Sequence, residues 1–243
     1  MEKIQIVLNS KTANQYLNNK TTDCIFILPK IDVKRRHKAY ISVIDASIPY
    51  SFYNVNSTNN TLNYTLNSIS YSLTITKANY NIRTLISYLQ SNLEPGFTIT
   101  YNSSTNKLQF THSTYDFSFS NTSTCFELLG FEDNIPYYSD SLTLLSTIGI
   151  NLFTVRNVLI ASSNFVLNNI NSATPNKASI ITSVPVDVNA GSIINYKNIN
   201  NIKSLVHDIH NINTLHVQLL DQDADVLELN GLHWSLNLLL TIE

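Results

Sequence analysis

The chain has 243 residues with a formal net charge of −2, and only 13% of them are charged, well under the usual ~25%. That excludes a global electrostatic grip on nucleic acid or acidic lipid. Two cysteines, Cys24 and Cys125, are too few for a disulfide framework and have no zinc-type spacing, so both are expected as buried thiols in a reducing compartment.

The first segments read as strands. Lys3–Leu8 comes first, and the opening residues hold no apolar core of signal-peptide length, so no secretion leader is expected. No apolar run approaches the ~20 residues that span a bilayer. Cys24–Leu28 is the second strand, with Cys24, Phe26 and Leu28 on one face and Pro29 as its stop. A basic loop follows, in which Lys34, Arg35, Arg36 and Lys38 flank His37. A plain solvated loop is expected there, with a phosphate contact to nucleic acid as the alternative. Ala39–Ile48 is nearly all apolar and reads as a strand covered on both sides. Pro49 stops it, and Tyr50, Phe52 and Tyr53 then anchor the chain as it leaves the sheet.

The pattern changes near residue 60. Leu62, Tyr64 and Leu66, then Leu73 and Ile75, alternate as a hairpin. Ile82, Leu85, Ile86, Leu89 and Leu93 recur at helical spacing, with Asn79 or Asn81 as the cap and Pro95-Gly96 as the end. Phe97, Ile99 and Tyr101 pair with Leu108 and Phe110 across an Asn/Ser/Thr turn, and Tyr115, Phe117 and Phe119 alternate again. Thr124 to Glu127 has capping-box spacing with Gly130 as the stop. The reading is therefore a compact α/β insertion over 60–135, inside a β chain made of 1–59 and 136–243.

Strand signals resume at Leu142–Ile150, Val155–Ala161, Asn164–Leu167, Ala178–Pro185, Ser192–Tyr196 and Asn213–Leu220. Such short runs between turn residues argue for a sandwich or barrel. The last strand is the cleanest. Trp234, Leu236, Leu238, Leu240 and Ile242 alternate with mostly polar residues, giving one buried and one wet face. A final strand this apolar completes a sheet begun much earlier in the chain.

Chemistry is sparse. Asp221, Asp223 and Asp225 match the first three ligand positions of a calcium loop, but Val226 stands where glycine is needed and Leu232 where glutamate is needed. A polar turn is expected there, with Asn230-Gly231 a tight turn of its own. His207 and His210 are three apart with no acid or thiol to complete a metal set. Asp45 and Asp187 lie in strand-like runs, and nothing nominates them as a dyad. With no phosphate loop and no nucleophile elbow, no enzyme, no cofactor and no metal are expected. Roughly one residue in seven is asparagine, and such a wet, weakly charged surface suits a subunit that associates with copies of itself. The same composition also follows from AT-rich codon use. It supplies six Asn-x-Ser/Thr sites, at Asn19, Asn56, Asn59, Asn63, Asn102 and Asn121, which are expected to go unused.

Several stretches, taken together, resemble the penton or minor capsid proteins of virophages and Polinton-like viruses. They are ISVIDASIPYSFYNVN, KANYNIRTLISYLQSNL, FTITYNSSTNKLQF, LLGF and LLDQDADVLELNGLHWSLNLLLTIE. The resemblance implies a mainly β fold, an eight-stranded single jelly-roll sandwich carrying a small α/β insertion domain. It implies a virion protein at the fivefold vertices of an icosahedral shell, assembled in the host cell interior. It further implies self-association, as a pentamer, beside a separate major capsid protein built as a double jelly roll. In a jelly roll the first and last strands share a sheet, which is the role the terminal strand requires. The alternative is a receptor- or glycan-binding jelly-roll attachment protein with the insertion as its binding head.

Overall fold

The computed structural model describes residues 1–34, 37–167, 179–207 and 211–243. The chain gathers into two compact units, one of Met1–Phe52 with Val155–Glu243 and one of Tyr53–Thr154. The elements run β1 (Glu2–Asn9), β2 (Gln15–Tyr16), β3 (Asp23–Asp32) and β4 (Ala39–Pro49) in the first unit. The second holds β5 (Thr61–Leu66), β6 (Ile69–Thr74), α1 (Ile82–Asn92), β7 (Phe97–Asn102), β8 (Lys107–His112), β9 (Phe117–Phe119), α2 (Phe126–Leu129), β10 (Tyr137–Tyr138) and β11 (Thr143–Leu145). The first unit resumes with β12 (Asn157–Ala161), β13 (Val166–Leu167), β14 (Ile180–Pro185), β15 (Ile193–Lys197), β16 (Ser204–His207), β17 (Asn211–Leu220) and β18 (Ser235–Ile242).

The first unit is a single jelly roll. One sheet runs β1-β18-β4-β16-β13, with β15 also on β4, and the other runs β14-β12-β17-β3-β2. β15 pairs with Asp45–Pro49 and β16 with Ala39–Ile41, so the two are halves of one strand position interrupted by the loop 198–203. Apart from the two-residue strands β2 and β13, the chain crosses between the sheets from β1 to β3, to β4, to β12 and β14, back to β15 and β16, then to β17 and finally β18. This is the jelly-roll path. All the sheet pairings are antiparallel. β18 closes the sheet between β1 and β4, pairing Glu2 with Ile242 at one end and Asn9 with Ser235 at the other.

The core lies between the sheets. Ile6 and Leu8, Ile41, Val43, Ala46 and Ile48, and Leu236 to Ile242 on alternate positions meet Cys24, Phe26, Leu215, Val217, Leu219, Val158 and Ile160 from the other side. Trp234 stands just before β18 and is 2% exposed. Its ring meets Phe26 edge-on at 6.0 Å, and its Nε1–H donates to the Thr21 carbonyl at 2.7 Å. This satisfies the one polar atom of the ring inside the core.

The second unit has its own core. β5 and β6 form a hairpin through Asn67 and Ser68, both at positive φ, as a two-residue mirror-type turn requires. β7 and β8 form a second hairpin. Leu85 and Leu89 of α1 pack with Leu62, Tyr64, Phe97, Phe110, Phe119 and Phe131. Asn81, rather than Asn79, caps α1 by accepting from Arg83 N and Thr84 N. Asn79 instead accepts from Asn54 N.

Several expectations are corrected. Pro29 does not stop β3, which runs on to Asp32, because the pairing with β17 shifts register between Ile212 and Thr214. The proline thus falls where the ladder is interrupted, and its missing N–H leaves no bond unmade. β4 is buried on one face and half-buried on the other, rather than covered on both. Leu142–Ile150 is not a jelly-roll strand, since only Thr143–Leu145 is extended and pairs with β8. That pairing, and the bridge of Val55 to Ala78, both lie within the unit Tyr53–Thr154. Thr124 makes no capping box at α2. Cys125 stands at the cap position without a side-chain bond, and Thr124 Oγ1 accepts from Thr61 N instead. Gly130 does end α2, in the left-handed conformation at φ 84. Tyr115 lies outside β9, and β2 and β16 had no clear sequence signal. Cys24 and Cys125 are buried free thiols.

Candidate assembly surfaces

The outer face of the β18 sheet carries mostly short polar side chains in register, with Val7 and Lys197 at the ends of one row. Val7, Asn237, Asp45 and Lys197 face one another across β1, β18, β4 and β15. In the next row stand Asn9, Ser235, Ser47 and Asn195. Asn237 Nδ2 donates to Asp45 Oδ1 at 2.8 Å, and Ser47 Oγ to Asn195 Oδ1 at 3.1 Å. These bonds tie neighbouring strands together, and the single acid, Asp45, and single base, Lys197, leave the rows without net charge.

Beside them the loop 198–203 presents Ile199, 82% exposed, and Ile202, 64% exposed. Asn198 braces this loop, donating from Nδ2 to the Ile202 carbonyl at 2.8 Å and accepting at Oδ1 from Ile202 N at 3.0 Å. The brace holds the two isoleucines on a fixed loop. Together with the exposed Ile193 and Val7, they form the apolar part of this surface.

In the second unit, the outer face of the β5 sheet is a hydroxyl face. Tyr138, Ser118, Thr65 and Ser70 form one row across β10, β9, β5 and β6. The inward neighbours are Phe117, Phe119, Tyr64 and Leu66. Neither surface carries a motif, and both follow from period-2 alternation once the pairing is known.

The residues singled out in the sequence fall as follows. Lys34 and Lys38 are described, whereas Arg35 and Arg36 lie outside the described residues. Lys38 pairs through its backbone with Glu243, N to O at 2.8 Å in both directions. Lys203 Nζ meets Glu243 Oε1 at 2.8 Å and lies 3.9 Å over the Tyr40 ring. The hydrogen bond from Lys203 lowers the Glu243 carboxyl below its ordinary range. Asp221 Oδ1 accepts from Asp223 N and Asp225 N at 3.0 and 2.9 Å, so the acidic stretch is a turn closed on its own backbone. Burial raises the Asp221 carboxyl, and those backbone bonds oppose the rise. Among the described residues no three His, Cys, Asp or Glu side chains are grouped to hold a metal. Asn230 and Gly231, at φ 51 and 78, make the tight turn that delivers Trp234 to β18. His207 is in β16, and His210 lies outside the described residues. Asp45 is on the outer face of β4, and Asp187 follows β14. Among the described residues no helix is long and apolar enough to cross a membrane.

The sequence from residue 36 to 219 matches the model of a family of unknown function (DUF5901). The chain belongs to that family. No curated protein matches the sequence. Among solved structures, the chain is similar to the selenomethionine-labelled mavirus penton protein, with 11% identity, a TM-score of 0.53 and coverage of 100% of both chains. It is also similar to a chain of the Sputnik virophage particle seen by electron cryomicroscopy, with 11% identity, a TM-score of 0.46 and coverage of 97% of each. The mavirus likeness is one of fold, a jelly roll matched over the full length of both proteins.

Proposed function

We propose that this chain is the vertex subunit of an icosahedral virus capsid, a structural protein of the virion. The observation that carries the reading is the end-to-end fold match to the mavirus penton protein. The match covers the whole of this chain, the second unit between β4 and β12 included, and the whole of the other chain. The cross-strand-bonded rows of the β18 sheet, which carry no net charge, and the braced isoleucines of loop 198–203 support the same reading, because they suit close packing against other subunits.

In this role the jelly roll makes a head-to-tail contact with identical neighbours, and five copies close into a ring. The ring's outer flank meets the major double-jelly-roll capsid protein. The second unit is an autonomous insertion domain, since it has a separate core. The Lys34–Lys38 loop makes a phosphate contact with the packaged genome, a weak one given the few cations available.

The test is co-expression with the major capsid protein, using a chain in which a Gly/Ser linker replaces 53–154. Closed particles bearing the trimmed chain at their vertices are expected. Empty vertices alongside a folded trimmed chain would move the assembly contacts to the second unit and overturn this assignment of the ring contact.

A further inference from the structure

A structural role leaves one cluster unused. Asp23 on β3, His216 on β17 and Ser163 in the turn after β12 meet on the outer face of the β17 sheet. His216 Nε2 lies 2.5 Å from Asp23 Oδ1, and Ser163 Oγ lies 2.8 Å from His216 Nδ1. The Asp23 side chain is 3% exposed and the His216 side chain 17%, whereas Ser163 is open to solvent.

The partners assign the tautomer. A carboxylate accepts only, so Nε2 carries the proton toward Asp23, and Nδ1 presents its lone pair to the Ser163 hydroxyl. This is the arrangement of an activated nucleophile: a hydroxyl within reach of a base, and the base oriented by a third group. The turn is pinned on both sides of Ser163. Ser162 N donates to the Ser179 carbonyl at 2.9 Å, His216 N donates to Asn164 Oδ1 at 2.6 Å, and Phe165 is buried in the core. The serine is thus held against the imidazole rather than swinging free. Among the described residues its own N–H makes no hydrogen bond, so it is one donor that could meet a developing oxyanion.

We propose that Ser163 is an acylatable nucleophile, activated by His216 and positioned through Asp23, that takes activated carboxylic esters. Ser163 Oγ bonds to the acyl carbon as its proton passes to His216 Nδ1. The ester's C–O bond then breaks, and the departing alkoxide leaves with that proton. Water, deprotonated by the same nitrogen, later releases the carboxylic acid and restores the serine. Nothing is oxidised or reduced. The open position of Ser163 suits small or extended acyl groups rather than a ligand needing enclosure.

The test treats the intact chain with a fluorophosphonate and separately with p-nitrophenyl acetate, followed by peptide mapping. Every other exposed serine in the same chain serves as an internal control. Expected are label concentrated on Ser163, none at that site in Ser163→Ala, and labelling slowed at least about 100-fold in His216→Gln, which keeps an N–H for Asp23 but removes the base. Circular dichroism should be unchanged in both variants. Label spread evenly over the exposed serines would overturn the proposal whether or not the variants fold. Labelling of Ser163 at the parent rate in a folded His216→Gln would overturn it as well, showing that the histidine only packs.

Discussion

Replacing Trp234 by Ala tests the closing-strand argument most sharply. The side chain is 2% exposed and meets Phe26 edge-on. Truncating a buried Trp costs about 3–5 kcal/mol in lost transfer energy and residual cavity. The change also orphans the Thr21 carbonyl, which accepts from Nε1 at 2.7 Å, adding about 1–3 kcal/mol if no water replaces the donor. Trp234→Phe keeps one aromatic ring but loses the N–H and the five-membered ring, so its expected cost lies between the orphaned carbonyl alone, about 1–3 kcal/mol, and the full truncation to Ala. Trp234 is the sole tryptophan, so the assay is urea unfolding followed by far-ultraviolet circular dichroism rather than by fluorescence. For a chain of this size the Ala variant should lose about 6–20 °C in melting temperature. A loss below about 1 kcal/mol in the Ala variant would refute the reasoning, because it would place the indole outside the core.

Deleting Leu236–Glu243 removes the strand between β1 and β4, and the product should be insoluble; a soluble product with the parent melting temperature would make that strand peripheral. Gly130→Ala should cost at least about 1–2 kcal/mol for the left-handed backbone alone, and more because an added Cβ would stand 2.6 Å from the Ile148 carbonyl oxygen, which thermal unfolding would measure. Burial raises the Cys24 and Cys125 thiols from 9.0 to about 12, with Asp23 adding to the rise at Cys24. The folded state therefore holds protons that the unfolded chain releases above 9, so stability from this source is full below about pH 9 and is lost as pH rises toward about 12. The urea midpoint should therefore hold below about pH 9 and fall above it, and Cys24→Ser/Cys125→Ser should flatten the fall.

How much of this was legible in the sequence depends on the range of the interaction involved. Period-2 alternation marked β18, β5 and β7 because each buries one face. The same rule failed at Leu142–Ile150, whose apolar residues belong to a bent segment that pairs with β8 over only three positions. It failed at Pro29, because a proline that ends most strands is tolerated where the partner strand shifts register. It missed β16, where Ser204–His207 follows the polar stretch 198–203 and only pairing with β4 makes it extended. The cluster of Asp23, Ser163 and His216 had no sequence signal at all. Its members lie far apart along the chain, and histidine spacing in sequence speaks only to metal sets. The β3–β17 pairing and the turn after β12 bring them together.

The measurement that bears most directly on the vertex assignment is an electron cryomicroscopy reconstruction of the native particle, refined locally at the fivefold axes. The account predicts five copies of this chain there, each with its β18 sheet and second unit traceable as described. Density at those axes fitted by a different protein, with this chain at another site or absent from the particle, would contradict it.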